Sequence, residues 1–168
     1  MSVEPRKLNR SDVRSGFDSG APELDEWLAK YARQNQTANS ATTYVVTDDT
    51  RVIGYYAISM SAVECLELPG TMRKSMPSRV PCILVARLAV DREYSGQGLG
   101  AWLLRDALLR SFNLSRSIGA ACILVHCRDE DARRFYLRNG NFLLSPVDDL
   151  HIMLPIRGLG ALLGLDEL

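Results

Sequence analysis

The fold of this chain is decided by the stretch ILVARLAVDREYSGQGLGAWLLRDALLRSF, residues 83–112. Residues 83–90 are rich in Ile, Leu and Val, which predicts a buried strand. Alternate glycines follow at positions 96, 98 and 100, and apolar residues then recur at helical spacing, which predicts a helix beginning near Gly98. A strand, a glycine turn and a helix N-terminus form a phosphate cradle, because glycine permits close approach and the first-turn amides point at the anion.

The possible ligands of this cradle can be tested by the residues that each of them requires. Gly96, Gly98 and Ala101 fit the G-x-G-x-x-A dinucleotide fingerprint, which also needs an acidic residue about 20 positions later. Residues 116–121 contain no acid, which argues against NAD, and no Gly-Lys-Ser/Thr follows the turn, which excludes a nucleoside-triphosphate loop. A tight strand–helix turn without any ligand remains open for the glycines taken alone.

A second motif, DARRFYLRNG at residues 131–140, predicts a short helix that ends in glycine. Together with RLAVDREYSGQGLGAWLL at residues 87–104, it resembles the GCN5-related N-acetyltransferase (GNAT) family. The resemblance implies an α/β (α+β) fold with a central mixed, mostly antiparallel sheet, splayed at the acetyl-CoA cleft and flanked by helices. It implies acetyl-CoA as co-substrate without a metal, and Tyr136 as the acid that reprotonates the leaving thiolate. The cofactor-binding residues would be Leu88, Ala89, Val90, Ser95, Gly96, Gln97, Gly98, Leu99, Gly100 and Ala101.

Further motifs are similar to those of the GNAT toxins of bacterial toxin–antitoxin modules. They are FDSG at residues 17–20, LDEWL at 24–28, RQNQ at 33–36, TYVV at 43–46 and GYY at 54–56. This resemblance, over about residues 8–156, implies acetylation of the α-amino group of aminoacyl-tRNA, which stops translation. It also implies neutralisation by a ribbon-helix-helix antitoxin, contact with DNA only through that antitoxin, and a homodimer. An acetyltransferase for a small amine or a protein N-terminus is the alternative, because fold alone does not fix the substrate.

Length and composition predict a single domain over residues 1–168. The four cysteines form no CxxC pair and the N-terminus shows no apolar signal segment, so we expect reduced thiols in a cytoplasmic protein without a metal site. No apolar run approaches the length that spans a membrane. The formal net charge is zero, yet residues 73–116 hold eight basic residues against three acids. That imbalance fits a basic face that binds nucleic acid. It fits equally well a set of solvated charged residues together with a site for the phosphates of CoA.

The other elements follow from periodicity and turn residues. We expect an edge strand over residues 3–10, a helix from Pro22 to about residue 32 with Trp27 in the core, and a hairpin of strands at 43–47 and 51–59. Residues 61–81, with several prolines, predict a long irregular loop that covers the substrate or a partner surface. Strands at 120–127 and 150–156 enclose the helix at 129–139, and the apolar tail 157–168 could dock or pair.

Acetyl transfer requires a held thioester, a polarised carbonyl, a neutral amine and a proton for the thiolate. A phenol, with a pKa of about 10, stays protonated at neutral pH and can donate to a thiolate, which suits Tyr136; a tyrosine that only packs in the core is the alternative. No dedicated base is evident, and Asp25, Glu26 and Glu64 are the carboxylate candidates. An α-amine, with a pKa of about 7.7–8.0, needs little help from a base. The sequence therefore favours an α-amine acceptor, with His126 more typical of a structural histidine.

Three positions depart from the GNAT pattern. Ser95 stands where the family usually has Arg or Gln, so that side chain's contribution to phosphate binding is lost while the backbone cradle remains. Asp129 stands where many GNAT enzymes have Asn, seven residues before Tyr136. Asn141 separates Gly140 from Phe142, where the family expects Gly followed directly by Phe, and this shift predicts a bulge in the turn after the tyrosine helix.

Overall fold

The computed structural model describes residues 2–164 as a mixed α/β protein. Its strands are β1 (Ser2–Lys7), β2 (Thr42–Asp48), β3 (Arg51–Glu64), β4 (Arg79–Val90), β5 (Cys122–His126), β6 (Leu143–Leu144) and β7 (His151–Pro155). Its helices are α1 (Pro22–Lys30), α2 (Ala32–Thr37), α3 (Leu99–Ile118), α4 (Glu130–Asn139) and α5 (Leu159–Leu162). Residues 165–168 of the predicted docking tail lie outside the described residues, and the tail's described part forms the short helix α5.

The strands form one seven-stranded sheet in the order β1-β2-β3-β4-β5-β7-β6. Strand β4 pairs in parallel with β5, whereas the pairs β1–β2, β2–β3, β5–β7 and β6–β7 are antiparallel. The expected mixed, mostly antiparallel sheet with helices is confirmed, and β1 is the edge strand that the N-terminal sequence predicts.

The chain divides into two compact units, residues 1–59 with 86–107 and residues 60–85 with 108–168. The prediction of a single domain over 1–168 stays a prediction. In the first unit, α1 packs on the sheet through Trp27, whose ring stacks on Tyr55 with centroids 6.1 Å apart. The Tyr55 hydroxyl donates to the Leu24 carbonyl at 2.7 Å, and Phe17 meets the Tyr55 ring edge-on. The expectation that Trp27 is a core residue is confirmed, because only 9% of it is exposed.

The second unit has its own core, built around the parallel pair β4–β5. Cys82 and Cys122 are direct neighbours in that ladder, are fully buried, and have their sulfur atoms 3.0 Å apart. Leu124, Met153 and Val80 surround them. All four cysteines are free thiols, as the sequence predicts, although Cys65 is only partly buried.

The structure corrects three predicted boundaries. Strand β3 runs to Glu64 and β4 begins at Arg79, so the predicted loop 61–81 is shorter and contains two 3-10 turns, Cys65–Glu67 and Gly70–Met72. The helix predicted to reach residue 32 ends at Lys30, and a separate helix α2 follows. Gln36 of α2 bonds the Leu8 carbonyl and the Thr43 amide, which ties that helix to β1 and β2. Strand β6 was not predicted, because a two-residue strand has no readable period.

Candidate active site

The glycine turn in the first unit has the geometry of an anion cradle. A 3-10 turn, Arg92–Tyr94, leads from β4 into the turn, and Gly96 and Gly98 adopt φ of 76° and 79°. An added Cβ would meet no atom at either position, so the backbone conformation and not lack of space calls for glycine there. The Trp102 amide donates to the Gly98 carbonyl at 3.0 Å, so the helix begins at the residue that the sequence predicts. The next three amides, of Leu99, Gly100 and Ala101, then have no intrahelical acceptor.

Ser95 holds the turn internally. Its hydroxyl donates to the Arg92 carbonyl at 2.8 Å, and its backbone amide donates to the same oxygen at 3.2 Å. The Ser95 side chain therefore makes a local contact within the turn.

Asp91 fixes the entrance to this turn. Asp91 is 2% exposed, and its carboxylate accepts hydrogen bonds from the backbone amides of Glu93 at 3.0 Å and Asp18 at 3.1 Å. Burial alone would raise the pKa of Asp91, but these two amides and Arg51 outweigh burial and hold the pKa below its ordinary value. The carboxylate is thus a structural anion that fixes the start of the loop.

Helix α3 lies close to β3 because Gly54 has no side chain. A Cβ at Gly54 would lie 3.0 Å from Leu103 and 3.4 Å from Leu99, the first residue of the helix. The Tyr56 hydroxyl donates to the Asp106 carboxylate, which adds a polar link between the same two elements. The GYY motif at residues 54–56, identified from sequence only by resemblance, therefore positions the N-terminus of the helix physically.

The predicted pantetheine-binding segment, Leu88, Ala89 and Val90, is the last part of β4. Ala89 is buried in the core with Trp27 and Tyr55. In the described part of the chain, the ladder between β4 and β5 consists of four pairs, from Cys82–Cys122 to Val85–Val125. Strand β4 continues beyond that ladder to Val90, so its final residues lie beyond its pairing with β5.

Tyr136 belongs to the second unit and lies on α4, a helix capped by Asp129. The Asp129 carboxylate accepts the Ala132 amide at 2.8 Å, so this acid, which replaces the Asn of many family members, caps the tyrosine helix. Tyr136 is 6% exposed, and its ring meets Phe135 and Phe142 edge-on with centroids 5.3 Å and 6.0 Å apart. Burial raises the pKa of Tyr136, with a smaller contribution from the nearby Cys127, so the phenol stays protonated at physiological pH.

The extra residue Asn141 does not prevent contact between Phe142 and Tyr136. Helix α4 ends at Asn139, the backbone is extended at Gly140, and Phe142 is 7% exposed against the Tyr136 ring. A Cβ on Gly140 would lie 2.6 Å from the Phe142 ring, so that ring packs directly over the glycine. The inserted residue is accommodated in an extended segment, and the phenylalanine still returns to the tyrosine.

The candidate bases are all engaged in local contacts. Asp25 accepts the Ser19 hydroxyl at 2.6 Å and the Ser19 amide at 3.0 Å, and Glu26 pairs with Lys30 at 3.2 Å. Glu64 forms a reciprocal capping box with Glu67 at a 3-10 turn.

His126 has a histidine neighbour on the adjacent strand. It stacks on His151 with ring centroids 4.0 Å apart, and the pair lies directly across the β5–β7 ladder. Partial burial and then His151 lower the pKa of His126 below its ordinary value. This arrangement fits the structural role that the sequence favours for His126.

Several of the basic residues at 73–116 also serve internal contacts. Arg73 donates to the carbonyls of Leu68 at 3.0 Å and Leu66 at 3.1 Å, and Arg92 pairs with Asp18 at 3.0 Å. Within residues 2–164 no group of three or more His, Cys, Asp or Glu side chains is placed to hold a metal ion. None of the helices in that range combines the length and the apolar character that a membrane span needs.

The model of the acetyltransferase (GNAT) domain matches residues 39–140, and the chain belongs to the GNAT family of N-acetyltransferases. The predictions of family and enzyme class are thereby confirmed.

Several known proteins and solved structures are similar to this chain over most of its length. The chain is 42% identical over 160 residues to a tRNA-acetylating toxin of Mycobacterium tuberculosis, covering 95% of this chain and 96% of that protein. It is 32% identical to the probable toxin TacT of Sinorhizobium fredii, with 96% and 94% covered. A tyrosine-to-phenylalanine mutant of KacT superposes with a TM-score of 0.88 at 27% identity, covering 96% of this chain and 99% of KacT. AtaTR bound with acetyl-CoA gives a TM-score of 0.81 at 26% identity, covering 95% and 96%.

Proposed function

We propose that this acetyltransferase is a toxin that transfers the acetyl group of acetyl-CoA to the α-amino group of aminoacyl-tRNA and so blocks translation. The observation that carries this proposal is the 42% identity, over 95% of the chain, to a protein named for acetylating tRNA. The similarity covers nearly the whole length of the chain and so extends well beyond the CoA-binding motif that the family shares. Acetyl-CoA is the acetyl donor, as the GNAT family and the acetyl-CoA-bound AtaTR structure indicate.

The pyrophosphate of CoA is bound by the glycine turn. The amides of Gln97 to Ala101 act as donors, supported by the left-handed backbone of Gly96 and Gly98 and by the positive dipole end of a 20-residue helix. Ser95 contributes by holding the turn through Arg92 and not by a side-chain contact to phosphate. Gly100 and Leu99 belong to the first helical turn, where the peptide N–H groups are directed along the helix axis.

The thioester and pantetheine are bound by the end of β4. Backbone groups of Leu88, Ala89 and Val90 bond the pantetheine amides, and one N–H of this segment polarises the thioester carbonyl. Support comes from the ladder with β5, whose last pair is Val85–Val125 while β4 runs on to Val90. Backbone donors in a strand are fixed in direction, so they stabilise the developing oxyanion without reorganisation.

Tyr136 is the acid that protonates the leaving thiolate of CoA. The attacking amine adds to the thioester carbonyl, the C–S bond breaks, and the thiolate takes the proton of the phenol. The proton lost by the amine leaves to solvent, and the phenolate of Tyr136 regains a proton from solvent, which restores the acid. Burial keeps Tyr136 protonated, so the phenol is available as a donor across the physiological pH range. The rings of Phe135 and Phe142 fix its orientation.

The acceptor is an α-amine. Asp25, Glu26 and Glu64 are occupied by local contacts, so none of them is placed as a dedicated base. A lysine side chain, with a pKa of about 10.4, would need such a base, whereas an α-amine at about 7.7–8.0 is partly neutral at pH 7. The amino group of an aminoacyl ester satisfies this requirement.

The cellular partner is an antitoxin of the ribbon-helix-helix type, which links the toxin to DNA, and the toxin itself is a cytoplasmic homodimer. Two relatives that match most of the chain are named toxins, and a cell that makes such an enzyme must neutralise it. The type of antitoxin and the dimer follow from the resemblance to toxin–antitoxin modules. Co-purification with the product of a neighbouring short reading frame, followed by light scattering with and without it, tests both statements.

The test of activity is transfer of radiolabelled acetyl from acetyl-CoA to a pool of charged tRNA. Label should appear on aminoacyl-tRNA but not on deacylated tRNA, and Tyr136→Phe should lower the rate about 10²- to 10⁴-fold, the contribution of a general acid. Retained acetyl-CoA binding by Tyr136→Phe separates loss of chemistry from loss of fold.

The alternative acceptor is a small amine or a protein N-terminus. Activity on such amines without any label on charged tRNA, from a protein that binds acetyl-CoA, would replace the toxin assignment by this one. The acetyl-CoA chemistry of the glycine turn and Tyr136 would be unchanged, since only the acceptor side differs.

A further inference from the structure

A partly buried guanidinium lies on the face of β4 that packs against α1. The central carbon of the Arg87 guanidinium lies 4.2 Å from the centroid of the Trp27 ring. Ala89, two residues further along the strand and therefore on the same face, belongs to the core that contains Trp27 and Tyr55. The Arg87 guanidinium thus lies over an aromatic surface of the first unit.

This guanidinium has no anionic partner in residues 2–164, where no carboxylate lies within ion-pair distance of it. Burial lowers its pKa, and Tyr55 alone acts in the opposite direction. Other partly buried arginines of the same unit do have partners: Arg14 donates to the Leu28 carbonyl at 3.1 Å, and Arg51 lies 3.4 Å from Asp91.

Arg87 nevertheless remains charged at neutral pH, because an arginine is effectively always protonated. A charge withdrawn from water is unfavourable unless it gains a counter-charge or hydrogen bonds. The stacked ring supplies only a part of that compensation. A ligand can supply the rest.

We propose that Arg87, oriented by Trp27, binds a backbone phosphate at the aminoacylated 3′ end of the tRNA acceptor. The inference rests on the proposed function, since it assigns a residue to that acceptor. An amino acid esterified to tRNA has no free α-carboxylate, so the nearest anionic group that every such substrate shares is the phosphate of the terminal nucleotide. The planar fork of arginine matches two phosphate oxygens at once, and stacking on Trp27 fixes the plane of that fork.

The phosphates of CoA are the other phosphate groups that Arg87 could bind. Arg87 precedes the end of β4 by three residues, which is about 10 Å along a strand, and it faces α1. The glycine turn and the N-terminus of α3 provide the donors that a pyrophosphate needs. The phosphate of the tRNA acceptor is therefore the better ligand for Arg87.

Steady-state kinetics of the full chain distinguish the two sources, with charged tRNA and acetyl-CoA varied separately. Arg87→Gln should raise KM for charged tRNA about ten- to hundredfold, the effect of losing a charge-assisted hydrogen bond, and leave KM for acetyl-CoA unchanged. The slope of log KM against log salt should fall by about 0.7, the loss of one phosphate contact to a single strand. Arg87→Lys should restore that slope but only a part of KM, because lysine lacks the fork. Arg10→Gln, at an exposed position, controls for loss of one positive charge.

Three results would overturn the proposal. A rise in KM for acetyl-CoA alone would assign Arg87 to the cofactor. A second result would be an equal rise in KM for both substrates, with an unchanged salt slope and a lower melting temperature in both Arg87 variants. Arg87 would then serve only to stabilise the packing of β4 against α1. If the wild type transfers no acetyl to charged tRNA, the proposed function fails by itself. An anisotropy titration with labelled charged tRNA then tests Arg87 directly, and equal affinity of wild type and Arg87→Gln would exclude the phosphate contact.

Discussion

The guanidinium of Arg51 lies 3.4 Å from the carboxylate of Asp91, joining the first residue of β3 to the residue that follows β4. Arg51 also pairs with the exposed Glu93 at 3.1 Å. The Asp91 amide donates to the Ile53 carbonyl at 2.9 Å, so backbone and side chain act at the same junction. The segment that leads into the glycine turn is therefore fixed to the hairpin strand by a buried carboxylate.

Replacing this carboxylate should destabilise the protein. Asp91→Asn removes the charge that two backbone amides and Arg51 share, and we expect a loss of about 2 kcal/mol in the free energy of unfolding. Glu93→Gln, which touches the same arginine from the exposed side, should leave stability nearly unchanged. Urea denaturation of the three proteins measures both changes. Equal effects of the two substitutions would show that the exposed pair, and not the buried anion, stabilises the junction.

The same carboxylate should make stability fall in acid. Asp91 and Asp12 both have folded-state pKa values below their ordinary ones, so each contributes stability that is fully present above the unfolded value of about 3.9. That contribution is lost as the pH falls from about 5 through the folded-state pKa values. Melting temperatures between pH 3 and 7 should show the decline, with a shallower slope in Asp91→Asn. A slope identical to that of the wild type would contradict the depressed pKa of Asp91.

Alanine substitutions at two glycines can separate the effect of backbone strain on stability from the effect of the glycine turn on acetyl-CoA binding. Gly98 and Gly16 have φ of 79° and 82°, and an added Cβ meets no atom at either position. Alanine at either position should cost about 1–2 kcal/mol of stability for the left-handed backbone. Only Gly98→Ala should also weaken acetyl-CoA binding, measured by calorimetry. Similar acetyl-CoA affinities in the two variants would exclude the glycine turn as the pyrophosphate site.

The contact between Gly140 and Phe142 predicts a larger packing effect. Alanine at Gly140 places a methyl group 2.6 Å from the Phe142 ring, which must move and disturb its contact with Tyr136. We expect a loss of about 1–3 kcal/mol from overpacking, together with lower turnover. Gly70→Ala is the control, since nothing lies within 4 Å of its added Cβ and its φ is not positive. Thermal melting and turnover of both variants test the prediction. Normal activity of Gly140→Ala would show that Tyr136 does not depend on this ring.

The pH dependence of turnover should reflect the acceptor and not the acid. The value of kcat/KM for charged tRNA should rise with pH through the α-amine pKa, at or below about 8, and then remain level up to about pH 10. The level region is expected because burial raises the pKa of Tyr136 above its ordinary value. Initial rates with short reaction times, before the ester hydrolyses, provide the profile. A descending limb near pH 8 that disappears in Tyr136→Phe would contradict the raised pKa.

Sequence patterns predicted the parts of the fold that depend on local periodicity. The strand before the glycine turn, the helix start at Gly98, the helix bearing Tyr136 and the hairpin of β2 and β3 are where the sequence places them. The predictions erred where nonlocal contacts override the local pattern. Strand β3 continues to Glu64 past the expected loop, and Gln36 connects α2 to two strands through contacts that no local pattern reveals.

The sequence by itself determined the family, because its motifs are local properties of the chain. It predicted the phosphate cradle from glycine spacing and helical periodicity, and the resemblance to the family predicted Tyr136 as the acid. Tertiary structure alone decided what surrounds those residues. It placed the Arg87 guanidinium over Trp27 with no carboxylate partner among residues 2–164, made Gly54 a contact point for α3, and brought Phe142 against Tyr136 despite Asn141. These relationships join residues far apart in sequence or separated by an irregular turn. Burial and the absence of a partner are properties of packed neighbours, which no pattern within one segment specifies.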